Sequence, residues 1–371
     1  MYIRDPIYGN VEFDDTALKI IEDSNMQRLR YIHQIGFAFL VYPGATHTRF
    51  EHSIGTMQAT REMESAIWDS STEDFIYMGL LHDIGHGPFS HQSEPLLQKY
   101  LKTDHEGMGR KVITQSSIRD TIAASNASLK RVLGYFNGKT NNIVSAALGS
   151  DRVDYLLRDS YYTGVAYGAI DFQRIKSKVT MYRGMVALHS EGVSAAEALL
   201  VARYFMFENV YGHHTQVIAG AMFAKAAENA IQSGDMDPRE FARMNDYEAM
   251  SALARIDESA ELIKRIQERH LFKRVYDGEI NGETPKKDEI RDALELKGIS
   301  ENEYVALTYD FKPPNAGIPV VNRDGSLAGD LSTVSPLVKM LTNTLSKKKM
   351  LIIATDRKYV ERAKSAINRL I

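Results

Sequence analysis

The stretch Leu80-Leu81-His82-Asp83-Ile84-Gly85-His86-Gly87-Pro88-Phe89-Ser90-His91 decides how this chain is read. Phe75, Ile76, Met78, Leu80 and Leu81 recur at helical spacing behind the capping box Ser71-x-x-Asp74 and run into the His82-Asp83 pair. Imidazole and carboxylate together suit borderline divalent metals, and adjacent ligands near a helix end can converge on one ion. His86 lies one turn beyond His82 and can share its face. Gly85, Gly87 and Pro88 are poor helix formers. Set beside three imidazoles, they shape a helix end where backbone and substrate approach closely. A lone histidine there would more often cap or solvate the terminus; this density reverses that weighing.

Seven of the eleven histidines fall between His33 and His105. A second cluster, Thr48-Arg49-Phe50-Glu51-His52-Ser53, places Arg49 at a helix start, where a planar guanidinium could meet phosphate and His52 points the same way one turn on. Taken alone it is also an ordinary amphipathic helix start. A third, Ser150 to Asp159, sets Asp151, Asp154, Tyr155 and Asp159 on one polar face of an otherwise apolar helix. A solvated face explains that pattern equally well.

Around these clusters the chain reads as mostly helical. Residues 2–11 hold β-formers around Asp5-Pro6 and Gly9-Asn10, a short hairpin. Helical periodicity covers 16–35, 49–68, 106–114, 143–158 and 195–230, the last behind a capping box Ser194-x-x-Glu197. Residues 179–181 and 185–188 flank Tyr182-Arg183-Gly184 like a hairpin. Residues 277–287 are rich in Gly, Pro and charge and read as a linker or exposed loop. Beyond them 304–311, 318–321 and 351–354 read as strands, with a turn at Asp324-Gly325 and a final amphipathic helix. The expected organisation is a helical catalytic core over 1–275, a linker and short helix over 276–299, and a small α+β lobe over 300–371.

Composition narrows the function classes. A chain of 371 residues with 44% hydrophobic and 25% charged residues is globular. No apolar run approaches the ~18 residues that span a bilayer, and the N-terminus lacks a signal-peptide pattern. Zero cysteines exclude disulfides, thiolate nucleophiles and thiolate metal sites. A net charge of −3 argues against a general nucleic-acid surface, although a local basic cleft stays open. Soluble and cytoplasmic is the default expectation, with no membrane partner.

The order His52, His82-Asp83, Asp151 resembles the H…HD…D signature of the HD superfamily. The wording around it is closer still: DPIYG at 5–9, QRLRYIHQIG at 27–36, HTRFEHSIG at 47–55, LLHDIGHGPFSH at 80–91 and SDRVDYLLRD at 150–159 resemble the SAM-and-HD-domain dNTP triphosphohydrolases and their shorter prokaryotic relatives. A weaker echo follows at 263–274. No SAM domain is read in residues 1–371. The resemblance implies a mainly α fold with an HD-domain helical core. It also implies one divalent metal per subunit, held by His52, His82, Asp83 and Asp151. His86, His91 and His105 match catalytic and phosphate-facing histidines, with His105 as proton donor and Glu106 and Glu94 orienting them. Arg49 and Arg152 match triphosphate-binding positions, with Arg152 where the closest relatives carry Lys. Tyr155 and Asp159 match the pair at the 3′-hydroxyl, and Gln34 and Ile35 match residues packed on the deoxyribose. Arg203, Tyr211 and His214 match further substrate positions, His214 replacing a lysine. Glu22, Gln27 and Arg30 match the family's regulatory guanine-nucleotide site with Glu for Asp, but its flanking segments are not found, so activation by GTP is not expected.

The implied reaction converts a dNTP into a deoxynucleoside and tripolyphosphate. Four ligands leave positions open for water and substrate, which points to Mn, Fe, Mg or Co ahead of a closed Zn site. By the same resemblance the chain forms a homo-oligomer, dimer or tetramer. Two alternatives stand: an HD phosphohydrolase acting on a monophosphate, cyclic nucleotide or guanosine tetraphosphate, and a non-catalytic nucleotide sensor or nucleic-acid-binding module using the same pocket.

Overall fold

In the computed structural model, residues 1–68, 72–137, 142–280, 285–310, 317–346 and 348–370 are described. The chain opens with an antiparallel hairpin, Tyr2–Asp5 against Gly9–Glu12. Asp5 closes the turn by accepting from the Ile7 and Tyr8 N–H groups at 2.8 and 2.9 Å. The helix expected over 16–35 is broken. Helices Asp15–Glu22 and Ser24–Arg28 meet at Asp23, whose carboxylate caps the second, and a 3₁₀ turn Leu29–Tyr31 follows. The apolar period survives the break because Ile20, Ile21, Met26, Leu29 and Ile32 all face one core. A short polar side chain that captures its own backbone ends a helix without disturbing that period.

Arg49–Ile67 is the central helix, started by a Thr48–Glu51 capping box. It buries polar groups along its length, His52, Thr56, Thr60 and Glu64 among them, because other helices cover it on several sides. Helices Glu73–Leu81 and Ser150–Thr163 pack against it. Gly55 makes the second contact possible: a Cβ there would stand 1.9 Å from Asp154 Oδ1 and 2.2 Å from Arg158 Nη2. The Glu73 helix starts at Thr72, and Ser71 lies outside the described residues. The helix expected over 143–158 begins only at Ser150. Before it, the Asn142 side chain accepts from the Val144 and Ser145 N–H groups and holds the segment in turns.

The long helix expected over 195–230 is two. Val193–Met206 widens into a π turn, Phe207–Tyr211, and the chain restarts as His214–Ser233 after Gly212 and His213. Ser194 does not cap the first; the helix begins after Gly192, and Glu197 instead accepts from the Ser335 hydroxyl. Continuous apolar period again masked the interruption.

Two further sheets complete the fold. The hairpin Val179–Tyr182/Met185–His189 is extended in parallel by Pro319–Val321, with Leu327–Asp330 on the outside. The other has Lys349–Thr355 at its centre, antiparallel to Lys273–Glu279 and Tyr304–Asp310; Phe311 lies outside the described residues. The segment 277–287, read as a linker, thus begins inside an edge strand whose partner comes from more than seventy residues away. Charged residues are usual on such an edge. The central strand alternates: Ile352 and Ala354 join the core around His214–Ser233, while Leu351 and Ile353 pack under the helices Lys287–Glu295 and Val360–Ile367. The architecture is a mainly α core with a small C-terminal α+β lobe. No described helix is long and apolar enough to cross a membrane.

Candidate metal centre and substrate cavity

Three helices deliver four donors to one point. His52 sits one turn into Arg49–Ile67, His82-Asp83 follows the last turn of Glu73–Leu81, and Asp151 lies in the first turn of Ser150–Thr163. His52 Nε2 is 3.1 Å from His82 Nε2, 3.5 Å from Asp83 Oδ2 and 3.3 Å from Asp151 Oδ1. His82 Nε2 is 3.4 Å from Asp83 Oδ2 and 3.8 Å from Asp151 Oδ1.

The far sides of both rings are committed. His52 Nδ1 bonds Asp154 Oδ2 at 2.7 Å, and His82 Nδ1 bonds the Gly79 carbonyl at 2.8 Å. Each Nδ1–H donates outward, so in neutral rings both Nε2 atoms would present lone pairs to each other, and at 3.1 Å these repel unless a proton or a metal ion lies between them. Burial opposes charge on His52, yet hydrogen bonds to Asp151 and Asp154, with Asp83 nearby, push its ionisation up to about 10. The pocket therefore favours positive charge, which a proton or a metal ion can supply. Two imidazoles and two carboxylates fit a divalent first-row ion or magnesium, and these residues would hold it.

Support for this donor set lies beneath it. Arg158 is fully buried and grips Asp154 through Nε and Nη2, both at 2.9 Å, while Nη1 reaches Asp5 Oδ2 at 2.9 Å. Burial alone would raise the Asp154 carboxyl, but Arg158 and His52 hold it below its usual range. The sequence reading left Asp154, Arg158 and Asp5 without roles. The available signal was the i,i+4 spacing of Asp154 and Arg158 and the acid that opens DPIYG.

Three more imidazoles stand beside the donors. His86 is buried, its Nε2 3.3 Å from Asp83 Oδ1, and its ring stacks on His105 at 4.2 Å. Glu94 accepts from both neighbours, His105 Nδ1 at 2.6 Å and His91 Nδ1 at 2.8 Å. Burial, reinforced by the charges of Arg49 and His105, drives His86 well below 6.5. Burial also opposes charge on His105, but the bond to Glu94 and its negative charge win and raise it. Two stacked rings are thus biased to opposite protonation states. Gly85 allows the close packing here, since a Cβ would meet Gly109 N and the His105 carbonyl at 2.1 Å.

These groups open into a cavity of about 1130 Å³. Gln34, Ile35, Arg49, Glu106, Arg152, Tyr155, Asp159, Arg203 and Tyr211 line it together with His82, Asp83, His86, His91, His105 and Asp151. Arg49 donates to Asp83 Oδ2 at 2.5 Å and to Ser90 Oγ at 2.8 Å. Arg152 rests on the Ser145 and Ala146 carbonyls. Asp159 accepts from Tyr211 OH at 2.6 Å and lies 2.7 Å from His47 Nε2, while Arg203 Nε meets Tyr155 OH at 3.2 Å. His52 lies beneath the wall. His214 is not part of the lining: the break at Gly212-His213 makes it the first residue of a new helix, stacked on His213 at 4.5 Å, and Gln216 faces the cavity instead. Glu22, Gln27 and Arg30 also lie outside, with Arg30 bonded to Gln27 and its guanidinium 3.6 Å from the Phe50 ring centroid. Tyr135, Phe207 and Gln216 emerge only from the structure, and nothing local in the sequence marks them; His47 opens the motif HTRFEHSIG, but its contact with Asp159 appears only in the fold.

Replacing Asp154 with Asn removes the charge that fixes the His52 ring. Divalent-metal affinity of Asp154→Asn, read by chelator competition, should fall ~10–100-fold. Unchanged affinity would mean that Asp154 does not set the ligand geometry.

Residues 49–155 match the HD domain family, and residues 170–371 match the family described as HD associated region. A solved structure of a hypothetical protein from Aquifex aeolicus is similar over 99% of both chains, at 30% sequence identity and a TM-score of 0.81. An uncharacterized protein of Methanocaldococcus jannaschii is 39% identical over 279 residues, 74% of this chain and 59% of that protein, so the chain spans somewhat over half of that relative's length. A deoxynucleoside triphosphate triphosphohydrolase SAMHD1 homolog of Dictyostelium discoideum is 28% identical, the alignment covering 100% of this chain and 80% of that protein. The HD match spans the segment that carries His52, His82, Asp83 and Asp151, and the HD-associated match covers more than half of the chain, so the chain belongs to the HD-domain superfamily.

Proposed function

We propose that this protein hydrolyses deoxynucleoside triphosphates to a deoxynucleoside and tripolyphosphate. The observation that carries the reading is one cavity shared by three of the four metal donors (His82, Asp83 and Asp151), two arginines, three further histidines and the Tyr155–Arg203 and Asp159–Tyr211 pairs. The similarity to a named dNTP triphosphohydrolase supports it. A divalent ion held by His52, His82, Asp83 and Asp151 supplies Lewis acidity at a phosphoryl oxygen and an acidified water.

The chain's own groups account for the remaining steps. Arg49 and Arg152 offer N–H groups to triphosphate oxygens and offset charge as it develops. His86, biased to its neutral form, and His91 face the phosphates. His105 carries a proton and passes it to the 5′-oxygen as that oxygen leaves phosphorus and a water oxygen bonds in its place. Glu94 holds the His105 and His91 rings for that transfer, and Glu106 lies alongside on the cavity wall. Asp159 and Tyr155 receive the 3′-hydroxyl, Gln34 and Ile35 pack on the 2′ side, and Arg203 and Tyr211 brace that pair. His214 has no place in this set of contacts.

Product identity tests the assignment. Metal-reconstituted protein, supplied in parallel with Mn, Mg, Co and Fe, should release tripolyphosphate from dNTPs in phosphorus NMR, and the His82→Ala, Asp83→Ala double variant should release none. Orthophosphate or pyrophosphate as the product would overturn the triphosphohydrolase reading. The pH profile tests the proton donor. Because the folded His105 ionises above 6.5, its acid form is present below that raised value and is lost as pH rises through it, so kcat should fall on the alkaline side. Glu94→Gln removes the charge that favours protonated His105, and the alkaline limb should move to lower pH. A limb that stays in place would exclude the His105–Glu94 pair as donor.

A further inference from the structure

Asp246 opens the helix Asp246–Leu253 and is 2% exposed, yet that helix does not use it. Asn245 already caps the helix, accepting from the Tyr247 and Glu248 N–H groups at 3.0 Å each. The Asp246 carboxylate points elsewhere, toward residues more than 150 positions earlier. Its Oδ2 accepts from the His33 N–H at 2.9 Å and lies 2.7 Å from His33 Nδ1, and its Oδ1 accepts from the Phe89 N–H at 2.5 Å. A buried carboxylate is costly unless its oxygens are paired, and this one is paired entirely with the loop that follows the His82-Asp83 pair and the segment facing it.

That loop is strained where Asp246 holds it. Phe89 and Ser90 are consecutive non-glycine residues in the left-handed region, with φ of 53° and 57°. Each is a strained conformation for a non-glycine residue and persists only when its surroundings over-determine it. The turn aims the Ser90 hydroxyl. Ser90 Oγ donates to the His33 carbonyl at 2.6 Å and accepts from Arg49 Nε at 2.8 Å. Arg49 then reaches Asp83 through Nη1 at 2.5 Å and the Gln34 carbonyl through Nη2 at 3.2 Å. Asp246 therefore grips Ser90's frame from both sides, the backbone of His33 and the backbone of Phe89. A second strut runs parallel: half-buried Arg28 donates to the Met244 carbonyl at 3.0 Å and to the Ile84 and His86 carbonyls at 3.2 and 2.7 Å.

We propose that Asp246 is a positioning residue for the phosphohydrolase reaction, its carboxylate locking the Phe89-Ser90 turn so that Ser90 orients the Arg49 guanidinium against Asp83 and the substrate phosphates; the statement rests on the activity proposed above. An asparagine cannot replace it. Its single amide oxygen can serve the His33 donors or the Phe89 N–H, and its NH₂ group then faces a donor. Freed from the carboxylate, the Phe89-Ser90 turn relaxes and the Ser90 hydroxyl leaves Arg49 Nε without its acceptor.

The test combines a substrate-free readout with a double-variant cycle on the full, metal-loaded chain. Asp246→Asn should speed amide hydrogen exchange in the 84–91 peptide and leave metal affinity within ~2-fold, since the four ligands are untouched. It should lower kcat/KM ~10-fold, and adding it to Arg49→Lys should lower kcat/KM by less than ~2-fold further, because both act through one guanidinium. Leu253→Ala, a buried change on the same helix, is the control for destabilisation alone: it should lower Tm and add fully to Arg49→Lys. If Asp246→Asn does not fold, Ser90→Ala breaks the same link downstream and should show the same non-additivity. Unchanged exchange at 84–91, or full additivity with Arg49→Lys, overturns the proposal. Absence of turnover by the wild-type chain on any nucleotide would overturn the activity instead, and the exchange result would then decide the Asp246 clamp by itself.

Discussion

Two imidazole nitrogens held 3.1 Å apart, a contact that needs a proton or a metal ion between them, set the terms for the rest of this structure. Neither ring can turn away, because the opposite nitrogens are tied to Asp154 and to the Gly79 carbonyl. Their repulsion is tolerable only with positive charge between them, and the surrounding carboxylates invite it. Holding them there requires a rigid frame. Arg158 braces Asp154 and Asp5, so the N-terminal hairpin is anchored to the helix that carries Asp151, and Gly55 lets that helix lie against the one that carries His52. A buried ion cluster of this kind is not a cheap source of stability. Its value is placement, since each member fixes the angle of the next.

The second half of the chain reaches the same point by another route. The segment 244–246 and Arg28 hold the loop between His82 and His91 from behind, while Tyr211, Arg203 and Gln216 close the cavity from the front. Glu94 divides the work among the neighbouring rings by favouring the charged form of His105, while burial keeps its stacked partner His86 neutral. One cavity thus presents fixed cations, a poised acid and neutral imidazoles to a single ligand. That is the arrangement expected for moving charge off a phosphoryl group with little reorganisation.

Much of this was legible in residue order, and the reasons differ by element. That His52, His82, Asp83 and Asp151 would lie together could be read because ligand chemistry restricts residue type and the motif wording is dense. The mainly helical fold followed from apolar period. Boundaries failed where that period was continuous across a local interruption: Asp23 and Gly212-His213 each stop a helix, and the Asn142 turn delays the start of one, while the apolar face carries on. His214, matched by resemblance to a substrate position, opens the helix after Gly212-His213 and is not among the cavity-lining residues. Residues 277–279 were unreadable as strand because their partner, 350–352, is distant in sequence. His47, Asp154 and Asp246 have hydrogen-bond partners 112, 102 and up to 213 positions away, and those pairings are not encoded locally.

Anomalous scattering from manganese-loaded crystals puts the central claim to its most direct test. The account predicts a peak bounded by His52 Nε2, His82 Nε2, Asp83 and Asp151, lost in the His82→Ala, Asp83→Ala double variant. A peak confined to the neighbouring His86, His91 and His105 cluster, or none at the four donors at saturating metal, would contradict it.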